Sequence, residues 1–159
     1  MSEISDGITI ARIFDAPPER VFAAWVEPEK FGRWFGGAAS DVPVETISMD
    51  ARAGGLWSAL MLAGPERIEI PWSGEFVVVD PPSRLVLTLT DTAVDADEPS
   101  RESVTVTFAP LGDTVTDEGN GRTEMTFRQS GGTLAPDEYE QARLGWQGFF
   151  DELELLLGE

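Results

Sequence analysis

The sequence predicts an α+β domain, in which an antiparallel sheet of about six or seven strands wraps around one long C-terminal helix, with two short helices after strand one. Three observations carry this. Short runs with period-two alternation, separated by turn signals, fill the stretch from residue 42 to residue 130. An aromatic-rich helical segment interrupted by Pro28 follows the first strand. From Pro136 to Leu157 the apolar residues recur at three- and four-residue steps, the signature of an amphipathic helix.

Each element has its own signals. Gly7 to Phe14 alternates Ile8, Ile10 and then Ile13 around polar or small neighbours and reads as strand one. Asp15-Ala16-Pro17-Pro18 stops it, Asp15 or Ala16 is placed to cap the next helix, and proline suits the first helical turn. Val21, Phe22 and Trp25 share a face of that helix and are expected in the core. After Pro28 the helix resumes with Phe31, Trp34 and Phe35 on one side, and Gly36-Gly37 ends it. Strands are predicted over Val42–Met49, Leu56–Leu62, Arg67–Val79, Arg84–Thr90, Ser103–Phe108 and Arg122–Gln129. Pro71 and Gly74 suggest that the third of these is an edge strand or carries a bulge. Asp50 to Gly55 reads as a tight hairpin connection, Asp80-Pro81-Pro82-Ser83 as a turn, Asp91 to Glu102 as a solvated acidic loop and Gly112 to Gly121 as a polar hairpin tip. Gly131-Gly132 leads into the closing helix, where Asp137 and Glu138 complement the dipole of the first turn.

The 159 residues are expected to form a single domain over 1–159, with its core over about 7–157. No apolar run approaches the ~20 residues that span a bilayer, and the first residues lack the basic and apolar regions of a signal peptide. Cytoplasmic residence is the expectation. A net charge of −18, with Lys30 the only lysine, repels phosphate backbones and anionic lipid, which argues against nucleic-acid and membrane partners. The same field would suit a basic protein partner.

With no cysteine and no histidine, disulfides, thiolate chemistry and Ser-His-Asp or Cys-His machinery are excluded. The acidic stretch from Asp91 to Glu102 lacks the spacing of a calcium loop, so no metal site and no cofactor are expected. Any catalysis would rest on Asp, Glu, Ser, Thr, Arg or the single Tyr139. No catalytic set is assigned.

Five tryptophans and nine phenylalanines suit either dense core packing or a pocket for a flat, greasy molecule. The candidate pocket lining is Trp34, Phe35, Trp57, Trp72, Phe76, Phe127, Trp146 and Phe150. Phe35, Trp57 and Trp146 are large enough to close such a pocket themselves. Polar candidates are Glu69 and Glu75, on a strand where both faces are partly apolar, Tyr139 in the first turn of the closing helix, and Arg52, which either meets a ligand carboxylate or pins its hairpin by pairing with Asp50.

Four stretches together resemble a known family. They are Pro18 to Trp34, Asp50-Ala51-Arg52-Ala53-Gly54-Gly55, Gly74-Glu75-Phe76 through Val79-Asp80-Pro81-Pro82-Ser83-Arg84-Leu85-Val86, and Gly145-Trp146 with the leucine-rich helix after it. In this order they resemble the bacterial Hsp90-ATPase-activator-like proteins of the START-like (SRPBCC) superfamily. The resemblance implies a helix-grip fold, a curved antiparallel sheet gripping the C-terminal helix around a cavity. In the wider superfamily such cavities hold lipids, sterols, polyketides or aromatic compounds. The expected function is therefore binding of a small hydrophobic or aromatic ligand between sheet and C-terminal helix, by a monomer or homodimer. The alternatives are a cyclase- or hydrolase-like enzyme using a cavity carboxylate or Tyr139, and a chaperone-associated interaction protein.

Overall fold

Pro17, Pro18 and Pro28 set the boundaries of the first two helices. The computed structural model describes residues 7–38, 40–91, 101–111, 122–130 and 136–158. Strand β1 (Gly7–Phe14) leads to α1 (Pro18–Val26) and α2 (Pro28–Trp34). The N-cap of α1 is Pro17 rather than Asp15 or Ala16, and no side chain bonds the first turn. Instead the Pro17 carbonyl accepts from the amides of Arg20 and Val21 at 3.0 and 3.2 Å, while Pro18 fills a position whose N–H has no helical partner anyway. Pro28 ends α1 and opens α2, with Glu27 serving both as the C-cap of one and the N-cap of the other.

Proline at position 28 removes the N–H that a continuing helix would have offered to the Ala24 carbonyl four residues back. The Trp34 indole N–H takes that place, donating to the Ala24 carbonyl at 2.9 Å. Trp34 is wholly buried, so its one polar atom is satisfied inside the core. This bond folds α2 back on α1 and turns Phe31 and Phe35 inward, both buried.

The remaining strands are β2 (Ser40–Asp41), β3 (Ser48–Met49), β4 (Leu56–Ala63), β5 (Ile68–Asp80), β6 (Arg84–Asp91), β7 (Arg101–Leu111) and β8 (Arg122–Ser130), followed by α3 (Pro136–Leu157). They form one antiparallel sheet in the order β1-β8-β7-β6-β5-β4-β2, with β3 also on β4. From β3 onward each long strand pairs with its successor. The first strand, however, pairs with the last, from Gly7 opposite Ser130 to Phe14 opposite Thr123. Helices α1 and α2 carry the chain from the β1 edge to the β2 edge, and α3 packs against β1, α1 and α2.

Three expectations are corrected. The strand over Val42–Met49 is broken into β2, a 3₁₀ turn over Val44–Thr46 and β3. Pro43 cannot donate to a ladder, and Thr46 closes the turn by donating its amide and its hydroxyl to the Pro43 carbonyl at 2.9 and 2.7 Å. Strand β5 lies inside the sheet, not at its edge, and its bulge falls between Phe76 and Val78 rather than at Pro71 or Gly74. Among the described residues the register with β6 runs as far as Trp72, opposite Asp91, and Pro71 stands opposite Leu60 of β4. Finally, Asp91 belongs to β6 and Arg101 and Glu102 to β7, and Glu102 is buried, so these ends of the supposed acidic loop are strand. Residues 92–100 of that loop, the hairpin tip at 112–121 and Gly131-Gly132 lie outside the described residues.

The core is one cluster under the sheet, formed by alternate strand residues such as Val104, Val106, Phe108, Met125 and Phe127 and by the stripe Tyr139, Trp146, Phe150, Leu153 and Leu157 of α3. Each fully buried Phe or Leu contributes roughly 1.5–3 kcal/mol by leaving water. On the solvent side Arg12 of β1 reaches α3, donating to Asp151 at 3.0 Å and Glu154 at 3.1 Å. Arg20 donates to the Leu157 carbonyl at 3.1 Å. The C-terminal half of α3 is thereby tied to both β1 and α1.

Replacing Trp34 by Phe keeps a ring in the core but leaves the Ala24 carbonyl without its donor. Urea unfolding is expected to show a loss of about 1–3 kcal/mol. Adding Pro28→Ala to that variant returns an N–H to the same carbonyl and should recover part of the loss. A Trp34→Phe variant as stable as the parent would remove the role given to this bond.

Candidate functional site

Between the sheet and the helices stands a cage of aromatic rings. Trp25 of α1, Phe31 of α2, Phe35 at the end of α2 and Trp146 of α3 face Trp57 of β4 and Phe76 of β5. Met49, Leu87 and Leu89 complete the wall. Phe31 stacks on Phe35 with centroids 4.6 Å apart and meets Trp57 edge-on at 5.9 Å, while Phe35 meets Trp146 at 6.0 Å. Such offset and edge-to-face pairs are the favoured aromatic geometries, each contributing about 0.5–1.5 kcal/mol beyond area burial.

The cage encloses a void of about 10 Å³, enough for roughly one water, with apolar walls throughout. Among the described residues, side chains fill the space between sheet and helix around this void. Trp57 is held in place by a backbone approach. It stands opposite Gly74 in β5, and its indole crosses that glycine to donate to the Thr88 carbonyl of β6 at 2.9 Å. A Cβ on Gly74 would run into the Thr88 carbonyl oxygen and the Trp57 indole nitrogen, so no side chain is tolerated there.

Of the apolar candidates, Phe35, Trp57, Phe76 and Trp146 come together around the void. Trp34, Phe127 and Phe150 form the layer behind it, each wholly buried, with Phe127 4.5 Å from Trp146 and Phe150 6.0 Å from Trp34. Trp72 stands beside the cage, edge-on to Phe35 at 6.3 Å. Trp25, assigned by its helical spacing to the core alone, is both core and cage wall, as is Phe31. Among the described residues, the buried indole N–H groups of Trp25 and Trp72 have no hydrogen-bond partner.

The polar candidates separate. Arg52 is on the outer hairpin, paired with Asp50 at 2.9 Å, its side chain 77% exposed. Glu69 is exposed and Glu75 half-buried on β5, and neither lines the void. Tyr139 alone turns inward. It is buried, and its hydroxyl donates to Glu102 Oε1 at 2.9 Å. The same oxygen accepts from Gln129 Nε2 at 3.2 Å, and Gln129 Oε1 accepts from the Trp146 indole at 2.7 Å. Tyr139, Glu102, Gln129 and Trp146 thus make a buried chain of hydrogen bonds ending on a ring of the cage.

Glu102 and Gln129 escaped the sequence reading, although the pattern contains them. On β7 the inward series Val104, Val106, Phe108 extends backward to Glu102, and on β8 the series Met125, Phe127 extends forward to Gln129. The alternation was followed only as far as the residues were apolar. Val104 is opposite Gln129, which puts Glu102 on the same face as its diagonal neighbour.

A second cleft of about 160 Å³ lies between α1, α2 and the end of α3, lined by Arg20, Lys30, Leu156 and Leu157 among others. Its cations are engaged, Arg20 with the Leu157 carbonyl and Lys30 with Glu27 at 2.6 Å. Among the described residues no group of three or more Asp or Glu is arranged to hold a metal ion, and no helix is long and apolar enough to cross a membrane.

Tyr139→Phe removes one donor from Glu102 without changing the ring. Chemical denaturation is expected to register a loss of about 1–3 kcal/mol, because a buried carboxyl oxygen loses a partner. A neutral result would mean that the hydroxyl bond contributes nothing net to the docking of α3.

The family model described as Activator of Hsp90 ATPase homolog 1-like protein matches residues 15–158. Among solved structures, a Chromobacterium violaceum protein is 27% identical, superposes with a TM-score of 0.79, and the match covers 97% of this chain and 98% of that one. A Silicibacter pomeroyi protein described as AHSA1 is 22% identical with a TM-score of 0.77, over 96% and 97% of the two chains. A Mycobacterium smegmatis protein is 19% identical with a TM-score of 0.72, over 99% and 97%. The last two likenesses speak to the fold alone. No curated protein matches the chain. Four ordered motifs, a sheet that grips a C-terminal helix and a model match over nearly the whole length lead to one conclusion: the chain belongs to the Activator of Hsp90 ATPase homolog 1-like family.

Proposed function

We propose that this protein binds a small, flat, apolar or aromatic molecule in the aromatic cage, which opens to admit it. The observation that carries the reading is the void of about 10 Å³ walled only by apolar side chains, in a family fold whose sheet and helices meet at that point. A pocket of this kind recognises its ligand by burial and ring contact. The indole N–H of the cage-wall Trp25, unpartnered among the described residues, supports the reading, because it leaves roughly 1–3 kcal/mol of bonding unrealised in the closed state.

Binding is favoured over catalysis by the same wall. No carboxyl or hydroxyl group lines the void, so a molecule held there meets no general acid or base. Glu102 and Tyr139, the buried titratable pair, are bonded to one another behind Trp146. The proposal is of a cytoplasmic binding protein. An Hsp90-activating role rests on the family description alone.

The ligand must displace rings, and in α3 these stand beside two glycines, in a turn that Arg12 also holds through the Gln147 carbonyl and Oε1 at 3.4 Å. Gly145 and Gly148 flank Trp146, yet a Cβ on either would meet nothing within 4 Å. Neither glycine is required by close packing. Each instead costs the helix about 1 kcal/mol relative to alanine.

Titration of the protein with naphthalene and its substituted relatives should quench tryptophan fluorescence saturably. At a ligand concentration of about 100 times Kd, the unfolding free energy should rise by about 2.7 kcal/mol. A flat fluorescence response together with an unchanged melting temperature across the series would reject the reading. Gly148→Ala is expected to raise stability by up to about 1 kcal/mol and to weaken binding of the same compounds. Stabilisation with unaltered affinity would detach the glycine from ligand admission.

A further inference from the structure

Resting on the binding reading above, we infer that the protein selects flat aromatic molecules bearing a hydroxyl or N–H group over hydrocarbons and ethers of the same shape. The argument starts from space. A void of about 10 Å³ admits no ring, so at least one wall residue must move.

Trp57 is a poor candidate, because its indole is locked across Gly74 to the Thr88 backbone. Trp25 and Phe31 are built into the α1–α2 corner that Trp34 closes. Trp146 differs. Its indole N–H is bonded to a side chain rather than to backbone, and glycines stand at 145 and 148 of its helix, in a turn where Arg12 holds Gln147 at 3.4 Å.

When Trp146 swings out, Gln129 Oε1 loses the donor that reaches it at 2.7 Å. Gln129 is 3% exposed in the closed state, and a ring that fills the place of the indole keeps the acceptor from water. Nor can the amide turn over to hide the acceptor. Its Nε2 donates to Glu102 Oε1, and that oxygen also accepts from Tyr139, so a flipped amide would set oxygen against oxygen. The acceptor therefore stays pointed at the place the indole has left. A ligand that brings its own O–H or N–H restores the bond, whereas one that does not leaves a buried acceptor unsatisfied. The discrimination expected from one such buried group is about tenfold or more. Glu102 and Tyr139 act as positioning residues, setting which face of the amide the ligand meets.

The test uses the wild-type chain with 2-naphthol, 2-methoxynaphthalene and naphthalene, the last two flanking the first in size but lacking a donor. Affinities are read by fluorescence or calorimetry, and the Trp146 indole N–H resonance is followed by NMR. The expected result is at least about tenfold tighter binding of 2-naphthol, with a large shift of the Trp146 resonance. In Gln129→Leu the preference should fall to about onefold, because hydroxyl and ether then meet the same apolar wall. Equal affinities for all three in the wild type overturn the inference while leaving the binding reading intact. A preference that persists in Gln129→Leu, or a Trp146 resonance that does not move, overturns it as well. Absence of binding by every compound defeats the underlying reading and this inference with it. If Gln129→Leu does not fold, the wild-type affinities and the Trp146 resonance decide by themselves.

Discussion

Pro28 offers no N–H, so the Ala24 carbonyl at the end of α1 would be orphaned in the core without the Trp34 indole 2.9 Å away. That one donor turns a chain break into a corner. Because α2 is folded back at this angle, Phe31 and Phe35 enter the interior next to Trp57, and the edge-to-face contacts of the cage follow. Trp34 itself meets Trp25 at 4.8 Å and Phe150 at 6.0 Å, so the corner also meets the face of α3. Displacing the indole would loosen the arrangement on which the void depends. The interior geometry thus hangs on a polar bond made by an aromatic residue, not on apolar packing alone.

Much of this fold was written in the spacing of residues. Gly7–Phe14 and Pro136–Leu157 were legible to the residue, the first from its alternation of isoleucines and the second from its apolar stripe. The break at Pro28 was legible because proline acts locally. The segment from Val42 to Met49 was not, since a 3₁₀ turn held by one threonine hydroxyl leaves no periodic trace. The site was half legible. Phe35, Trp57, Phe76 and Trp146 could be named as large apolar residues on inward faces, but Trp25 and Phe31 look the same from the sequence whether they serve as filler or as wall. Glu102 and Gln129 were hidden for a different reason. A polar residue in an inward strand position is normally read as the end of the strand, and only the pairing of β7 with β8 shows that the two satisfy one another.

Two kinds of order therefore meet at Trp146. On one side its ring joins an apolar cage that gains by closing on itself. On the other its N–H terminates a polar chain running through Gln129 and Glu102 to Tyr139. The polar chain ties α3 to β7 and β8 near the helix start, while Arg12 and Arg20 tie the far half to β1 and α1. Between them Arg12 also donates to the Gln147 carbonyl and Oε1, both at 3.4 Å, and Trp146 bonds Gln129, so α3 is held along its length. Under the proposed binding function the closed form competes with the ligand, and the affinity measured would be the intrinsic affinity reduced by the fraction of molecules that stand open.

The pairing of β1 with β8 has a consequence for how the molecule comes into being. Thr123, on the last strand, donates its hydroxyl to the Ala16 carbonyl at 2.7 Å, a contact that spans 107 residues of chain. During synthesis β1 emerges before β8 and has no strand partner until the intervening strands of this domain have left the ribosome. The meander from β4 to β7 can assemble from neighbours in the meantime, but its interior remains uncovered until β8 and α3 arrive. Loop-closure entropy makes such late, long-range steps slow. For that interval Ile8, Ile10 and Phe14 stay exposed on an unpaired edge, where strands of other chains could add.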